Sequence, residues 1–194
     1  IRNGADVLIR RIFHYFDIYG FYLVGFILFI SIFWSYYYRT KKGRSVKIKP
    51  AYFSLMLFES TVYAFLLLII LQKSSKILAY PIAINTNFQL LIMALGAGIY
   101  EELVFRVIMI SAGFFFFHKL LRWDIKTSKI ISVIFAALLF STFHYIGHLG
   151  DAFHLKTFLV RTLAGLVLSV IYLFRGYGIA VYTHTIYDLL VIYL

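Results

Sequence analysis

Residues 101–106 read EELVFR and lie inside a run that is otherwise apolar from Phe88 to Phe117. An ionisable side chain at membrane depth costs roughly 2.5–3.5 kcal/mol on insertion scales, so such groups usually face a bundle interior or a water-filled cavity. In a helix, Glu102 and Arg106 are four positions apart and form an ion pair on one face. Glu101 points about 100° around the same helix and therefore needs a partner from another segment.

The composition around this stretch is that of an integral membrane protein. Hydrophobic residues make up 62% of the 194 positions and charged residues only 14%, far outside the range of soluble domains. The net charge of +11 could suggest nucleic acid, but the basic residues collect between apolar runs, as in membrane-flanking loops. We therefore expect no nucleic-acid partner. The absence of cysteine excludes disulfides, thiolate metal ligands and cysteine nucleophiles.

The apolar runs predict an all-α, polytopic membrane bundle of about six transmembrane helices, folded as a single domain over residues 1–194. Spanning a bilayer takes ~20 helical residues, and most of the runs approach that length. The expected localisation is multi-pass, in the cell membrane. A short interfacial helix is predicted at 1–17, and spans are predicted at 18–38, 51–71, 88–117, 130–145, 158–174 and 179–194.

Two further features concern packing between these spans. Gly96 and Gly98 precede the acidic pair, and small residues there let another backbone approach closely. Glu59 interrupts the second span, where we favour a structural role in pairing with a neighbouring helix.

Ionisable groups recur on two later spans. His144 ends the fourth span, and His184 and Asp188 lie four positions apart on the sixth. A lone membrane histidine is more often a hydrogen-bonded packing residue, and an Arg–Glu pair can simply hold two helices together. Six ionisable groups on three spans are harder to explain by packing, because carboxylate and imidazole together perform acid–base hydrolysis. We therefore expect a catalytic or ion-handling site within residues 88–194, the predicted catalytic core.

Three motifs in this order resemble the CPBP intramembrane proteases, which include the type II CAAX prenyl endopeptidases and the bacteriocin-processing or Abi proteins. The family pattern is EExxxR, then FxxxH, then HxxxN or HxxxD. Each motif alone is weak evidence for the family, and the three together in this order are strong evidence for it. The matching residues are Glu101, Glu102 and Arg106, then Phe140 and His144, then His184 and Asp188.

The resemblance implies a metal-independent endopeptidase without cofactors, in which Glu101 and His144 activate a water molecule. His184 and Asp188 would stabilise the oxyanion. Glu102 and Arg106 would have supporting roles. Prenyl-processing members carry Asn at the last position, and an ionised Asp repels an oxyanion. Asp188 is therefore expected to be protonated or to orient His184. The implied partners are the lipid bilayer and a membrane-anchored or hydrophobic peptide, such as a prenylated C-terminus, bacteriocin leader, signalling peptide or sorting tag.

The residues leave three alternatives open. A metal-binding hydrolase would use His144 and His148, which have helical i, i+4 spacing, with Glu101 completing the coordination, although no HExxH signature is present. A transporter or ion pathway would use the buried charges as a relay, although the sequence has no obvious inverted repeats. A non-enzymatic immunity or scaffold protein would retain the motif residues without using them for catalysis.

Overall fold

The structure, a computed structural model, describes residues 49–72, 87–146 and 150–193, together with isolated helical positions between 26 and 41. All regular structure among these residues is helical, which confirms the predicted all-α class. The predicted interfacial helix at 1–17 and most of the first span lie outside the described residues. Tertiary contacts place the described residues from Met56 onward in one compact unit and those up to Leu55 in another. The predicted catalytic core lies within the first unit, and a single domain over 1–194 stays a prediction.

The described residues form six α-helices and two π-helical segments. The π-helical segments, Leu103–Met109 and Phe115–Leu120, lie on either side of the short α-helix Ile110–Phe114. Helical structure is therefore continuous from residue 87 to residue 120. The α-helices are α1 (Pro50–Gln72), α2 (Asn87–Glu102), α3 (Ile110–Phe114), α4 (Ile125–Phe143), α5 (Leu155–Arg175) and α6 (Tyr177–Tyr193).

Among the described residues, four helical stretches are long and apolar enough to cross a membrane. They correspond to the second, third, fourth and fifth predicted spans, and they make the chain a multi-pass membrane protein. α6, with 17 residues, covers the sixth predicted span and is shorter than these four. The four stretches are Pro50–Leu71, Ala94–Leu120, Ile125–Phe143 and Leu155–Arg175.

α4 begins five residues before the predicted start of the fourth span. Asp124 caps its N-terminus by accepting a hydrogen bond from the backbone N–H of Thr127 at 2.9 Å. Hydrogen bonding to Thr127 lowers the pKa of the Asp124 carboxyl from its ordinary value. Lys126 and Lys129 are exposed in the first turns of the helix, although the sequence pattern assigned them to a basic loop.

Gly98 allows α2 to pack closely against α6. A Cβ atom at this position would contact the Oγ1 atom of Thr185 and would lie 3.0 Å from the carbonyl oxygen of Val181. The expectation of close approach is confirmed at Gly98 and is wrong at Gly96, where a Cβ atom would meet no described residue within 4 Å. Contact at Gly98 brings the C-terminal end of α2, which carries the acidic pair, beside the centre of α6.

Glu59 has the structural role expected for it. The Nη2 atom of Arg175, at the end of α5, donates to Oε2 of Glu59 at 2.7 Å, and Nε donates to the other carboxylate oxygen. This ion pair joins α1 to α5 away from the acidic pair of α2.

Candidate active site

The acidic pair lies at the end of α2, where the first π-helical segment begins. Glu102 is 0% exposed and Arg106, within the π-helical segment, is 1% exposed. The Nε atom of Arg106 lies 2.9 Å from Oε2 of Glu102, so the ion pair expected from the sequence is present. The N–H is not aligned with this oxygen, and the contact is therefore ionic rather than a well-formed hydrogen bond.

α6 supplies the partner that Glu101 requires. The Nδ1 atom of His184 lies 2.8 Å from Oε1 of Glu102, and its Nε2 atom lies 3.5 Å from Oε2 of Glu101. The same Nε2 atom lies 3.7 Å from Oδ1 of Asp188, one turn further along α6. Three carboxyl groups from two helices therefore surround one buried imidazole. Four of the predicted site residues are brought together by these contacts.

His144 caps the C-terminus of α4, and its ring is held by the preceding turn. Its Nδ1 atom lies 2.8 Å from the carbonyl oxygen of Phe140. A carbonyl oxygen only accepts hydrogen bonds, so Nδ1 carries the proton in this contact and Nε2 retains its lone pair. The ring of His144 is thus oriented with one nitrogen able to accept a proton.

The ring of Phe140 lies between the two histidines. Its centroid is 5.0 Å from that of His144 and 6.0 Å from that of His184. Phe105, on the π-helical segment, packs edge-on against Phe140 at 5.4 Å. The guanidinium of Arg106 lies over the Phe140 ring, with its Cζ atom 4.5 Å from the ring centroid. Phe140 therefore links His144 to the buried cluster on α2 and α6.

Arg106 also contacts α5. Its Nη2 atom donates to the carbonyl oxygen of Gly165 at a long distance of 3.5 Å. Because Arg106 is fully buried, its charge is balanced mainly by Glu102, and its remaining contacts fix it between α4 and α5. Arg106 therefore supports the position and charge of Glu102 rather than facing a solvent-filled space.

The metal alternative relied on His144 and His148 at helical i, i+4 spacing. α4 ends at Phe143, and residues 144 and 145 form a turn, so His144 lies at the end of the helix and not within it. His148 itself lies outside the described residues. Within the part of the chain that the structure describes, no three histidine, aspartate or glutamate side chains are grouped to hold a metal ion.

Sequence reasoning missed one ionisable group near this cluster. Arg161 lies inside the apolar α5 and pairs with Asp151, in the segment that precedes α5. The signal was available, because a basic residue within a membrane span is itself unusual.

The region that contains this cluster matches a protein-family model. Residues 83–190 match the model described as type II CAAX prenyl endopeptidase Rce1-like, and this match covers more than half of the chain. The chain belongs to this family. No curated protein and no solved structure matches the chain.

Membership in the Rce1-like family identifies the chain as an intramembrane endopeptidase of the CAAX type. The matched region contains every residue of the three motifs and the whole buried cluster. A membrane-associated peptide is accordingly the general class of its substrate, and the membrane is the environment in which it works.

Proposed function

We propose that this Rce1-like chain hydrolyses a peptide bond of a membrane-associated substrate with a water molecule activated by Glu101 and His144. The observation that carries the proposal is the enclosure of the buried His184 by Glu101, Glu102 and Asp188. Such a cluster is costly to bury, and it combines proton acceptors with proton donors around one point. His144, one aromatic ring away, adds a second imidazole.

Water activation is assigned to Glu101 and His144. The water oxygen bonds to the carbonyl carbon of the substrate while a water proton passes to the Glu101 carboxylate. The Nε2 lone pair of His144, left available by the hydrogen bond from Nδ1, holds the water by accepting its other proton in a hydrogen bond. When the tetrahedral intermediate collapses, the carbon–nitrogen bond breaks and the proton held by Glu101 passes to the leaving amine.

Oxyanion stabilisation is assigned to His184. Its Nδ1 atom is engaged by Glu102, so only Nε2 faces the reacting group. An Nε2–H donor is present together with Nδ1–H only when the imidazole carries both protons. The contact of Nδ1 with the Glu102 carboxyl group, which is itself paired with Arg106, favours that state. Asp188, 3.7 Å from the same Nε2, then orients His184 and is a positioning residue.

The proposed substrate is a lipid-anchored peptide. The cluster lies among apolar helices, so a substrate that reaches it laterally from the bilayer needs an apolar anchor. The family description names prenyl substrates, which makes a prenylated peptide the first one to test.

Reconstitution of the purified chain in lipid nanodiscs tests this proposal. A farnesylated peptide and its unmodified counterpart are incubated with the chain, and the products are identified by mass spectrometry. The expected result is one cleavage site, with the farnesylated peptide cleaved faster. Failure to cleave any lipid-anchored peptide, by a chain shown to be folded, would overturn the proposal.

A further inference from the structure

Arg161 is a cation within an apolar helix, and none of the three motifs includes it. It lies in the second turn of α5, between Val160 and Thr162, and its side chain is 13% exposed. Its Nη2 atom donates to Oδ2 of Asp151, which is 45% exposed. Its Nη1 atom is buried and has no hydrogen-bond partner among the described residues. Within the described residues, one arm of the guanidinium is therefore paired and the other is not.

The guanidinium lies against the residue that follows His144, the proposed catalytic histidine at the end of α4. Its Cζ atom is 5.2 Å from the ring centroid of Tyr145, the residue that follows His144. The backbone N–H of Asp151, its ion-pair partner, donates to the carbonyl oxygen of His144 at 3.0 Å. Arg161 thus lies against the segment that carries His144, at the edge of the proposed site.

A purely structural role does not account for all of these contacts. Tyr145 is already fixed by its hydroxyl, which forms a 2.7 Å hydrogen bond with Thr157. Asp151 is already fixed by its backbone bond to His144. The ion pair with Asp151 uses only Nη2, and a partly exposed carboxylate is a weak reason to bury a cation. Nη1, which has no partner among the described residues, leaves the guanidinium able to donate to a further acceptor.

We infer that Arg161 binds a carboxylate of the peptide substrate and thereby positions the scissile bond at Glu101 and His144. The inference rests on the proposed function, because a peptide supplies the carboxylate. That carboxylate is either the chain terminus or an acidic side chain close to the cleaved bond. A guanidinium is suited to both, since its planar N–H groups match carboxylate oxygens.

Three lipid-anchored peptides of one sequence distinguish the sources. The first ends in a free carboxylate, the second is amidated, and the third is amidated with glutamate as its last residue. Binding to the nanodisc-embedded chain is measured by fluorescence anisotropy, which needs no turnover, and kcat and KM are measured in parallel. Loss of a hydrogen bond to a charged group predicts that the amidated peptide binds roughly tenfold to hundredfold more weakly than the free acid. Recovery of affinity by the third peptide would assign the role to an acidic side chain.

Two variants separate ligand binding from a structural contact. Arg161→Gln should abolish the preference for the carboxylate, mainly through KM, and Arg161→Lys should restore part of it. Asp151→Asn is the matched control, because it breaks the same ion pair while keeping both the cation and the backbone bond to His144. It should retain or increase the preference, since a competing carboxylate is removed. Thermal unfolding of each variant checks that the fold is intact.

The outcomes are separable from those of the proposed function. Equal binding of the acid and the amide by the unaltered chain would overturn the role of Arg161, as would a preference that survives Arg161→Gln. An equal loss on all peptides in both Arg161→Gln and Asp151→Asn would show a structural contact instead. Carboxylate-selective binding without any cleavage would retain the role of Arg161 and overturn the proposed hydrolysis.

Discussion

The Nδ1 atom of His184 lies 2.8 Å from Oε1 of Glu102, across 82 positions of sequence. This contact joins α2 to α6 at a point where both helices are buried. Glu102 is in turn paired with Arg106, so a chain of charged groups runs from α6 through α2 to the π-helical segment. Each member depends on the next for its charge and orientation, and this dependence can be measured.

The buried ion pair between Glu102 and Arg106 should show strong energetic coupling. Arg106→Met leaves the Glu102 charge without its partner, and removal of one partner from a buried pair costs about 3–5 kcal/mol. The double variant Glu102→Gln with Arg106→Met should be destabilised by less than the sum of the single variants, because neither charge remains. Reversible unfolding in detergent micelles measures all four free energies. Additive losses would show that the two side chains do not act as a pair.

The contact of α2 with α6 should be sensitive at Gly98 and insensitive at Gly96. Gly98→Ala places a Cβ atom against Thr185 and the Val181 carbonyl, so the helices must separate and the contact between Glu102 and His184 should lengthen. Gly96→Ala adds the same methyl group where no atom of the described part of the chain lies within 4 Å. We expect lower unfolding temperature and lower activity for the first variant only. Equal effects would mean that helix propensity, and not close packing, decides the result.

Asp188→Asn should keep substantial activity near neutral pH. Asp188 is assigned to orienting His184, whose Nε2 atom lies 3.7 Å from Oδ1, and the carbonyl oxygen of an asparagine side chain can make the same polar contact. Asp188→Ala removes the acceptor and should reduce kcat much further. The two variants are compared by steady-state hydrolysis of one lipid-anchored peptide. Equal loss in Asn and Ala would show that a carboxylate is required and that the assigned role is wrong.

The sequence predicted the helices of the described region and the pairing within EELVFR, because both follow from local periodicity and spacing. It also indicated that Glu101 needed a partner from elsewhere, which His184 provides. The π-helical segments were not predictable, since their i→i+5 hydrogen bonding leaves no distinct mark in a pattern with a 3.6-residue period. The start of α4 was missed because the basic residues that follow Asp124 masked its capping signal.

The contacts of Arg161 could not be predicted from the sequence, for a different reason. Its position within an apolar run was visible, but its relation to His144 depends on how residues 150–154 return against the end of α4. Asp151 bonds to the His144 carbonyl, and the Tyr145 ring lies under the guanidinium. These contacts join separate segments, and no single motif contains them.

Hydrolysis should not depend on a metal ion. Water activation is assigned to a carboxylate and an imidazole, neither of which requires a bound cation. Treatment of the purified chain with EDTA or 1,10-phenanthroline should leave kcat/KM for a lipid-anchored peptide unchanged. Loss of activity that is restored by added zinc would instead support a metal-dependent mechanism.

Cleavage by the Glu101→Gln variant tests the central claim most directly. The assay uses a folded, nanodisc-embedded chain and one lipid-anchored peptide, with His144→Ala as a second variant. Glu59→Gln is the matched control, because Glu59 is also a carboxylate on an apolar helix but pairs with Arg175 away from the cluster. We predict no detectable product from Glu101→Gln or His144→Ala and near-unaltered turnover from Glu59→Gln. Substantial cleavage by a folded Glu101→Gln chain would contradict the account.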